Sequence, residues 1–206
     1  MDAHITFVLD SSGSMNSIAD DTVGGFNAFL DEQRSEEGTA TVSLFDFDDD
    51  VSQVYRGIES PEAENLTEET YTPGGRTALH DAMLRAITDT ERLLAERDAN
   101  PDTVVIIVLT DGNENASETP IEPLREQVQA KQSGGWEFLF IGANQDAVLA
   151  ASEFGVDRDR ALSMDHSGEG ASSAMESTSR VINEMRETGV SDGYQDTDRE
   201  RQRDAS

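Results

Sequence analysis

The chain has no cysteine among its 206 residues. Disulfide bonds, zinc sites built on thiolates and cysteine nucleophiles are therefore all excluded. Long hydrophobic runs are also missing, because no stretch approaches the roughly 18 apolar residues of a membrane-spanning helix. The first residues, MDAHITFVLDSSG, place Asp2 where a secretory signal peptide would carry positive charge. We therefore expect a cytoplasmic location and no contact with a membrane.

Positive charge is scarce in this chain. Fifteen Lys and Arg residues stand against 43 Asp and Glu residues, which gives a net charge of −28 at pH 7. Electrostatic repulsion of that size argues against nucleic acids as partners. Lys131 is the single lysine. This acidic, lysine-poor composition resembles proteins of salt-loving archaea and their viruses, so a protein carried by a virus of such a host is an alternative to a purely cytoplasmic one.

The apolar residues of the chain are concentrated in short blocks. Residues 4–10 and 104–109 are almost uninterrupted apolar runs, which are typical of parallel strands covered by helices on both faces. Residues 41–47 alternate between two faces, and the acidic turn at 48–50 leads into a strand at 51–57, which predicts an antiparallel hairpin at the sheet edge. Further strands are predicted at 136–142 and 161–164.

Apolar residues at helical spacing separate these strands. They predict helices at 18–30, 78–94, 121–132, 146–153 and 169–186. The order predicts an α/β fold, Rossmann-like and doubly wound, with a mostly parallel six-stranded sheet, one antiparallel edge strand and helices on both faces. We expect one domain over residues 1–187. Residues 188–206 are almost entirely polar, so a disordered tail is expected there.

The sequence Asp10-Ser11-Ser12-Gly13-Ser14 directly follows the first apolar strand. Side-chain oxygens at positions 10, 12 and 14 fall on one tight loop, and the glycine permits the bend. Such a loop can wrap a hard cation. The same residues also suit a helix N-cap, because Asp and Ser side chains accept hydrogen bonds from the first turn of a helix.

Asp111, in the sequence LTDG, likewise follows the strand at 104–109. Ligands of doubly wound sheets bind at the carboxyl ends of the strands. We therefore expect the carboxylates of Asp10 and Asp111 to meet in one crevice. The polar residues 113–115 behind them are either an ordinary loop or additional ligands.

A third oxygen-rich loop precedes the second helix. In Pro73-Gly74-Gly75-Arg76-Thr77 a glycine turn delivers a threonine hydroxyl to the start of the helix. The spacing does not match the G-x-x-x-x-G-K-[ST] pattern of a phosphate loop, and its lysine is absent, so nucleotide binding is not expected. Three such loops make a better metal site than any one of them alone.

Together these residues resemble the metal-ion-dependent adhesion site of the von Willebrand factor type A (VWA) family. Asp10, Ser12 and Ser14 match its D-x-S-x-S motif. Thr77 and Asp111 match its lone threonine and its last aspartate. The resemblance implies that the three hydroxyls ligate a cation directly, while the two aspartates act mainly through waters or hydrogen bonds.

The resemblance covers residues 3–187, and the segment 20–34 is further similar to small, free-standing members from bacteria, archaea and their viruses. It implies a bound Mg²⁺, with Mn²⁺ or Ca²⁺ as alternatives, because all three ions accept oxygen ligands. An open coordination position would then accept a carboxylate from an Asp or Glu of a partner protein.

The sequence therefore predicts a metal-dependent protein-binding module, monomeric and without enzymatic activity. The residues expected on its partner-binding rim are Met15, Asn16, Arg76, His80 and Asn113, with Glu114 and Asn115 beside them. One alternative is a structural or scaffold protein, such as a component of a virion, whose metal stabilises the fold. Another is an accessory to an AAA-type ATPase. Serine hydrolysis is not expected, because no G-x-S-x-G elbow occurs and only His80, of three histidines, is expected near the loops.

Overall fold

The computed structural model describes residues 1–143 and 147–205 of the chain. Its strands are β1 (Ala3–Asp10), β2 (Ala40–Phe47), β3 (Val51–Glu59), β4 (Thr103–Thr110), β5 (Trp136–Ala143) and β6 (Ala161–Met164). They form one sheet in the order β3-β2-β1-β4-β5-β6. Edge strand β3 pairs antiparallel with β2, and the other neighbouring pairs are parallel. The predicted sheet, with its antiparallel edge strand, is confirmed.

The two central strands are buried along their whole length. All eight residues of β1 and all eight of β4 are buried. The strands run parallel, with Leu9 opposite Leu109, so they end side by side at the same edge of the sheet. Their apolar character on both faces follows from the helices that cover the sheet on each side.

Six α-helices accompany the sheet in the described part of the chain, residues 1–143 and 147–205. They are α1 (Ala19–Ser35), α2 (Leu79–Glu96), α3 (Ile121–Ser133), α4 (Ala147–Glu153), α5 (Gly168–Thr188) and α6 (Asp196–Asp204). On one face, Phe26 and Phe29 of α1 pack edge-on against Phe7 of β1, and Ile182 of α5 joins the same cluster. Helices α2, α3 and α4 cover the other face, around Phe140. In residues 1–143 and 147–205 no helix has the length and apolar character to cross a membrane.

The C-terminal segment differs from the sequence-based expectation. Residues 188–205 include α6, and Tyr194 ahead of it is only 3% exposed. The Tyr194 hydroxyl lies 2.9 Å from the Thr178 hydroxyl, and the Asp198 carboxylate accepts a hydrogen bond from Arg180 at 2.6 Å. The prediction of a disordered tail is therefore wrong, because one aromatic anchor and one ion pair with a buried carboxylate order an otherwise polar segment. Ser206, and Asp146 at the predicted start of α4, lie outside the described residues.

Candidate functional site

The predicted site residues converge where β1 and β4 end. Asp10 is the last residue of β1, and Asp111 follows β4 directly. Their side chains are almost inaccessible to solvent, with residue exposures of 0% for Asp10 and 6% for Asp111. The parallel register of the two strands thus brings together two carboxylates that are about a hundred residues apart in sequence, as the sequence predicted.

The Asp10 carboxylate is fixed by hydrogen bonds on both oxygens. The Ser12 amide donates to Oδ1 at 2.7 Å, and the Thr110 hydroxyl donates to Oδ2. The Tyr71 hydroxyl donates to the Asp10 carbonyl oxygen at 2.5 Å. Burial raises the pKa of the Asp10 carboxyl to about 6, against the opposing effect of the hydrogen bonds from Thr110 and Ser12. A cation nearby would favour the ionised form instead.

The hydroxyls of the D-x-S-x-S loop join this carboxylate pair. Ser14 Oγ donates to Asp111 Oδ1 at 2.5 Å and lies 3.2 Å from Ser12 Oγ. The other oxygen of Asp111 is 3.1 Å from Nε2 of His166. Asp111 is therefore held between a serine from the first loop and a histidine from the β6–α5 connection.

Backbone hydrogen bonds tie the first loop to the glycine turn before α2. The Gly74 amide donates to the Ser11 carbonyl at 2.7 Å, and the Gly13 amide donates to the Gly75 carbonyl at 3.2 Å. Gly75 has a φ of 68°, in the left-handed region that favours glycine. A side chain there would also collide with the Asp49 carboxylate. Both the positive φ and the lack of room for a side chain thus require glycine at position 75.

The same turn positions Thr77. Its amide donates to Asn115 Oδ1 at 2.9 Å, and its carbonyl accepts from the Asn115 amide at 3.1 Å. Thr77 as a residue is 2% exposed, and its hydroxyl has no hydrogen-bond partner within residues 1–143 and 147–205. Its oxygen is therefore available for a ligand.

Because Gly112 has no side chain, a small space remains beside the hydroxyls of Thr77 and Ser14. We call this space the cradle. A Cβ atom on Gly112 would lie 2.9 Å from Thr77 Oγ1 and 3.6 Å from Ser14 Oγ. The two hydroxyls border this space, and Ser14 is in turn hydrogen-bonded to Asp111 and 3.2 Å from Ser12 Oγ, so the surrounding donors are oxygens, which suit a hard divalent cation. The described ranges 1–143 and 147–205 contain no cluster of three or more His, Asp or Glu that could hold a metal. A metal here would rely on serine and threonine.

The predicted rim residues have different roles in the structure. Met15 is fully buried, because the short 3₁₀ helix Gly13–Ile18 turns it inward, so its prediction as a rim residue is wrong. Asn16 donates to the carbonyls of Gly13 and Pro73 at 2.9 and 3.2 Å, which ties two loops together. Asn113 is exposed.

Arg76 and His80 are also engaged within the chain. Arg76 Nε pairs with Asp49 Oδ1 at 2.6 Å, at the surface. The His80 ring packs edge-on against Phe154, with centroids 5.7 Å apart, and its Nδ1 lies 3.0 Å from the Thr119 carbonyl. His80 is thus a packing residue beside the loops.

Glu114 shapes the loop that follows Asp111. It accepts hydrogen bonds from the amides of Ala116 and Ser117, from the Ser117 hydroxyl and from the His80 amide, at 2.7 to 3.1 Å. Burial opposes its ionisation, but these hydrogen bonds prevail and hold the pKa of Glu114 below its usual range. Its oxygens are thus occupied within the loop, which agrees with the polar-loop interpretation of residues 113–115.

Three residues of the site were not predicted from sequence. Thr110 and Tyr71 bind Asp10, and His166 contacts Asp111. Thr110 stands next to Asp111 in the chain, so its position at the strand end was a usable signal. His166 and Tyr71 come from distant loops, and no spacing rule connects them with either aspartate.

Comparisons with known proteins agree with this architecture. The family profile of the von Willebrand factor type A domain matches residues 4–161. The chain belongs to the VWA family. It is 31% identical over 150 residues to inter-alpha-trypsin inhibitor heavy chain H2 of Mesocricetus auratus, which covers 69% of this chain and 16% of that protein. This VWA chain therefore spans about a sixth of the length of that curated relative.

Solved structures show the same VWA fold. The pilus adhesin SpaC from Lactobacillus rhamnosus GG, in an open conformation, is 14% identical with a TM-score of 0.68, covering 88% of this chain and 30% of SpaC. Proximal thread matrix protein 1 from the mussel byssus, with a zinc-occupied MIDAS motif, is 17% identical with a TM-score of 0.60, covering 88% of this chain and 46% of that one. At these identities the likeness concerns the fold alone.

Proposed function

We propose that this VWA domain is a metal-dependent protein-binding module that captures an acidic side chain of a partner through a divalent cation. VWA domains are generally protein-interaction and adhesion modules. The observation that carries the proposal is the cradle at Gly112, bordered by the hydroxyl of Ser14 and by that of Thr77, which has no hydrogen-bond partner within residues 1–143 and 147–205. The proposed metal residues are Asp10, Ser12, Ser14, Thr77 and Asp111.

The donor set favours Mg²⁺, with Mn²⁺ or Ca²⁺ as substitutes, because every donor is an oxygen. A cation held largely by neutral hydroxyls keeps much of its positive charge and accepts a carboxylate at an open position. In this scheme Ser12, Ser14 and Thr77 bind the ion, and Asp10 and Asp111 orient them. The Ser14–Asp111 hydrogen bond supports that division. The zinc-occupied motif of the mussel byssus protein supports a divalent cation.

The loops around the cradle favour a binding role for the cation over a structural one. Direct backbone hydrogen bonds join Gly74 to Ser11 and Gly13 to Gly75. Asn16 adds side-chain bonds across the same loops. Because protein groups already connect these loops, a cation is not required to hold them together. The scaffold alternative predicts the opposite, a fold whose stability depends on the metal.

We further propose that the domain performs no catalytic step and acts as a cytoplasmic monomer. The Ser14 hydroxyl donates to Asp111, and the His166 imidazole also faces Asp111. The imidazole thus contacts the carboxylate and not the serine, whereas a serine nucleophile of the Ser–His type has its histidine hydrogen-bonded to the hydroxyl.

Thr77→Ala is expected to abolish cation-dependent capture of acidic ligands while leaving the fold intact. The substitution removes a hydroxyl without a hydrogen-bond partner in the described chain, so its effect on stability is small. Fluorescence anisotropy of a labelled octaglutamate peptide, with Mg²⁺ or with EDTA, measures capture, and thermal unfolding measures stability. Thr72→Ala, an exposed threonine in the same loop, is the matched control.

The expected result is peptide binding that needs Mg²⁺, disappears in Thr77→Ala and persists in Thr72→Ala at an unchanged melting temperature. Equal binding in Mg²⁺ and EDTA would contradict a cation-dependent module. A large drop of the melting temperature in EDTA, with unaltered binding by Thr77→Ala, would favour the scaffold alternative instead.

A further inference from the structure

A cleft of about 400 Å³ opens along edge strand β6. Three arginines line it: Arg158, Arg199 and Arg203. Ser163 and Gln202 add neutral polar groups, and Asp165 contributes one carboxylate. In a chain with 15 basic and 43 acidic residues, three arginines against one carboxylate in a cleft lining are a local concentration of positive charge. We refer to this feature as the arginine cleft.

The arginines of the cleft differ from most others in the fold. Arg160, for example, pairs with Glu137 at 2.8 Å. Within residues 1–143 and 147–205, none of the three cleft arginines forms an ion pair with a carboxylate. Arg199 donates instead to the carbonyl oxygens of Ala161 and Arg158, at 2.8 and 2.7 Å. Carbonyl groups hold a guanidinium in place without neutralising its charge.

Charges in the cleft also act on one another. Burial, followed by the positive charge of Arg158, lowers the pKa of Arg199, and the carboxylates of Asp196, Asp198 and Asp159 oppose this shift. The arginine nevertheless stays protonated at any physiological pH. An anion entering the cleft would relieve this repulsion and could be bound by planar guanidinium groups in the bidentate manner that carboxylates favour.

The arginine cleft adjoins the proposed metal site. The metal site lies at the carboxyl ends of β1 and β4, and the cleft runs along edge strand β6, from Arg158 ahead of the strand to Asp165 just after it. Asp165 lines the cleft, and the next residue, His166, places Nε2 3.1 Å from the carboxylate of Asp111. Adjacent residues, Asp165 and His166, therefore connect the arginine cleft to the metal site.

We propose that the arginine cleft binds a second carboxylate of the acidic partner segment whose first carboxylate the cation holds. This inference rests on the proposed function. An extended peptide advances about 3.3 Å per residue, so an acidic run offers carboxylates to both places at once. The partner would thus be selected for a run of Asp or Glu over an isolated one.

The arginine cleft also accounts for how a chain of net charge −28 could receive an acidic partner. Long-range repulsion is screened in strong salt, since the Debye length at about 1 M is roughly 3 Å. Contacts between a guanidinium and a carboxylate act within that distance. A local cluster of arginines therefore offers attraction at the place of contact, while the overall charge no longer repels.

The test compares two labelled peptides by anisotropy in Mg²⁺ and molar KCl: octaglutamate, and a Gly/Ser octapeptide with a single central glutamate. The variant is Arg158→Gln with Arg203→Gln, both exposed. Arg199 is left intact because it ties β6 to the preceding turn. Arg201→Gln, an exposed arginine of the same helix outside the cleft lining, is the matched control.

We expect the double variant to bind octaglutamate about tenfold more weakly, and to keep the wild-type affinity for the single-glutamate peptide and for Mn²⁺. Equal octaglutamate affinity in wild type and double variant would overturn the proposal that the arginine cleft binds a second carboxylate. It would leave the proposed function unaffected. Absence of Mg²⁺-dependent binding of either peptide to the wild type would overturn the proposed function itself. Displacement of octaglutamate by stoichiometric inorganic phosphate would show a phosphate site and overturn the proposed acidic segment.

Discussion

Gly112→Ala is expected to weaken Mn²⁺ binding about 10- to 100-fold, the range seen when groups that orient metal ligands are removed. The added methyl group would lie 2.9 Å from Thr77 Oγ1, closer than real Cβ atoms approach an oxygen, and 3.6 Å from Ser14 Oγ. Thr77 must then turn away, and the space between the two hydroxyls is filled. Electron paramagnetic resonance of Mn²⁺ titrated into the protein measures the affinity directly.

Gly74→Ala is the matched control for this steric effect. Gly74 lies in the neighbouring turn, and a Cβ atom there would meet nothing within 4 Å. Its φ is also outside the left-handed region. The control is expected to bind Mn²⁺ as the wild type does. If Gly112→Ala did so too, the cradle would not be the cation site.

His4 is expected to make the fold acid-sensitive by about 3 kcal/mol between pH 7 and pH 4. It is 1% exposed in β1, with Nδ1 2.8 Å from the Thr41 hydroxyl and Nε2 3.1 Å from the Thr6 hydroxyl. Burial, reinforced by the positive charge of Arg97, lowers the pKa of His4 from 6.5 to about 4. The folded state therefore resists a proton that the unfolded chain accepts.

The sign of this pH effect follows from the two protonation states. Above pH 6.5 His4 is neutral whether the chain is folded or not, so its contribution to stability is complete. As the pH falls from 6.5 towards 4, only the unfolded state gains the proton, and the free energy of unfolding decreases. Below pH 4 both states are protonated, and the loss levels off.

Urea unfolding at a series of pH values checks this prediction. His4→Gln keeps a hydrogen-bonding side chain that does not titrate, so its stability should decline less steeply than that of the wild type over this range. His80→Gln leaves His4 in place and should follow the wild type. Parallel curves for wild type and His4→Gln would show that His4 is not the acid-sensitive group. Subtracting the His4→Gln curve from the wild-type curve also cancels the titration of the carboxylates, which both proteins share.

The fold was largely predictable because its strands carry strong local signals. The apolar runs of β1 and β4 can only be buried on both faces, which requires helices on each side. The C-terminal segment was not predictable in this way. Its order depends on Tyr194 entering the core and on Asp198 meeting Arg180. Such single contacts leave no periodic pattern in the sequence.

The site was predictable as far as it follows strand ends and short motifs. The position of Asp10 after β1 and of Asp111 after β4 implied their meeting, and the structure brings them together through Ser14. The contact of His166 with Asp111 arises from the path of a distant loop. Met15 was misplaced because a motif spacing does not tell which way a short 3₁₀ helix turns its side chains.

The most direct test of a cation that captures carboxylates is the relaxation of ¹³C-labelled acetate by protein-bound Mn²⁺ in molar KCl. We expect Mn²⁺ to bind at one saturable site, from which Mg²⁺ displaces it. Bound Mn²⁺ should relax the acetate carboxyl carbon strongly, and Thr77→Ala should remove this effect. Saturable Mn²⁺ binding that leaves acetate relaxation unchanged would show a cation closed to carboxylates. That result would contradict the central claim.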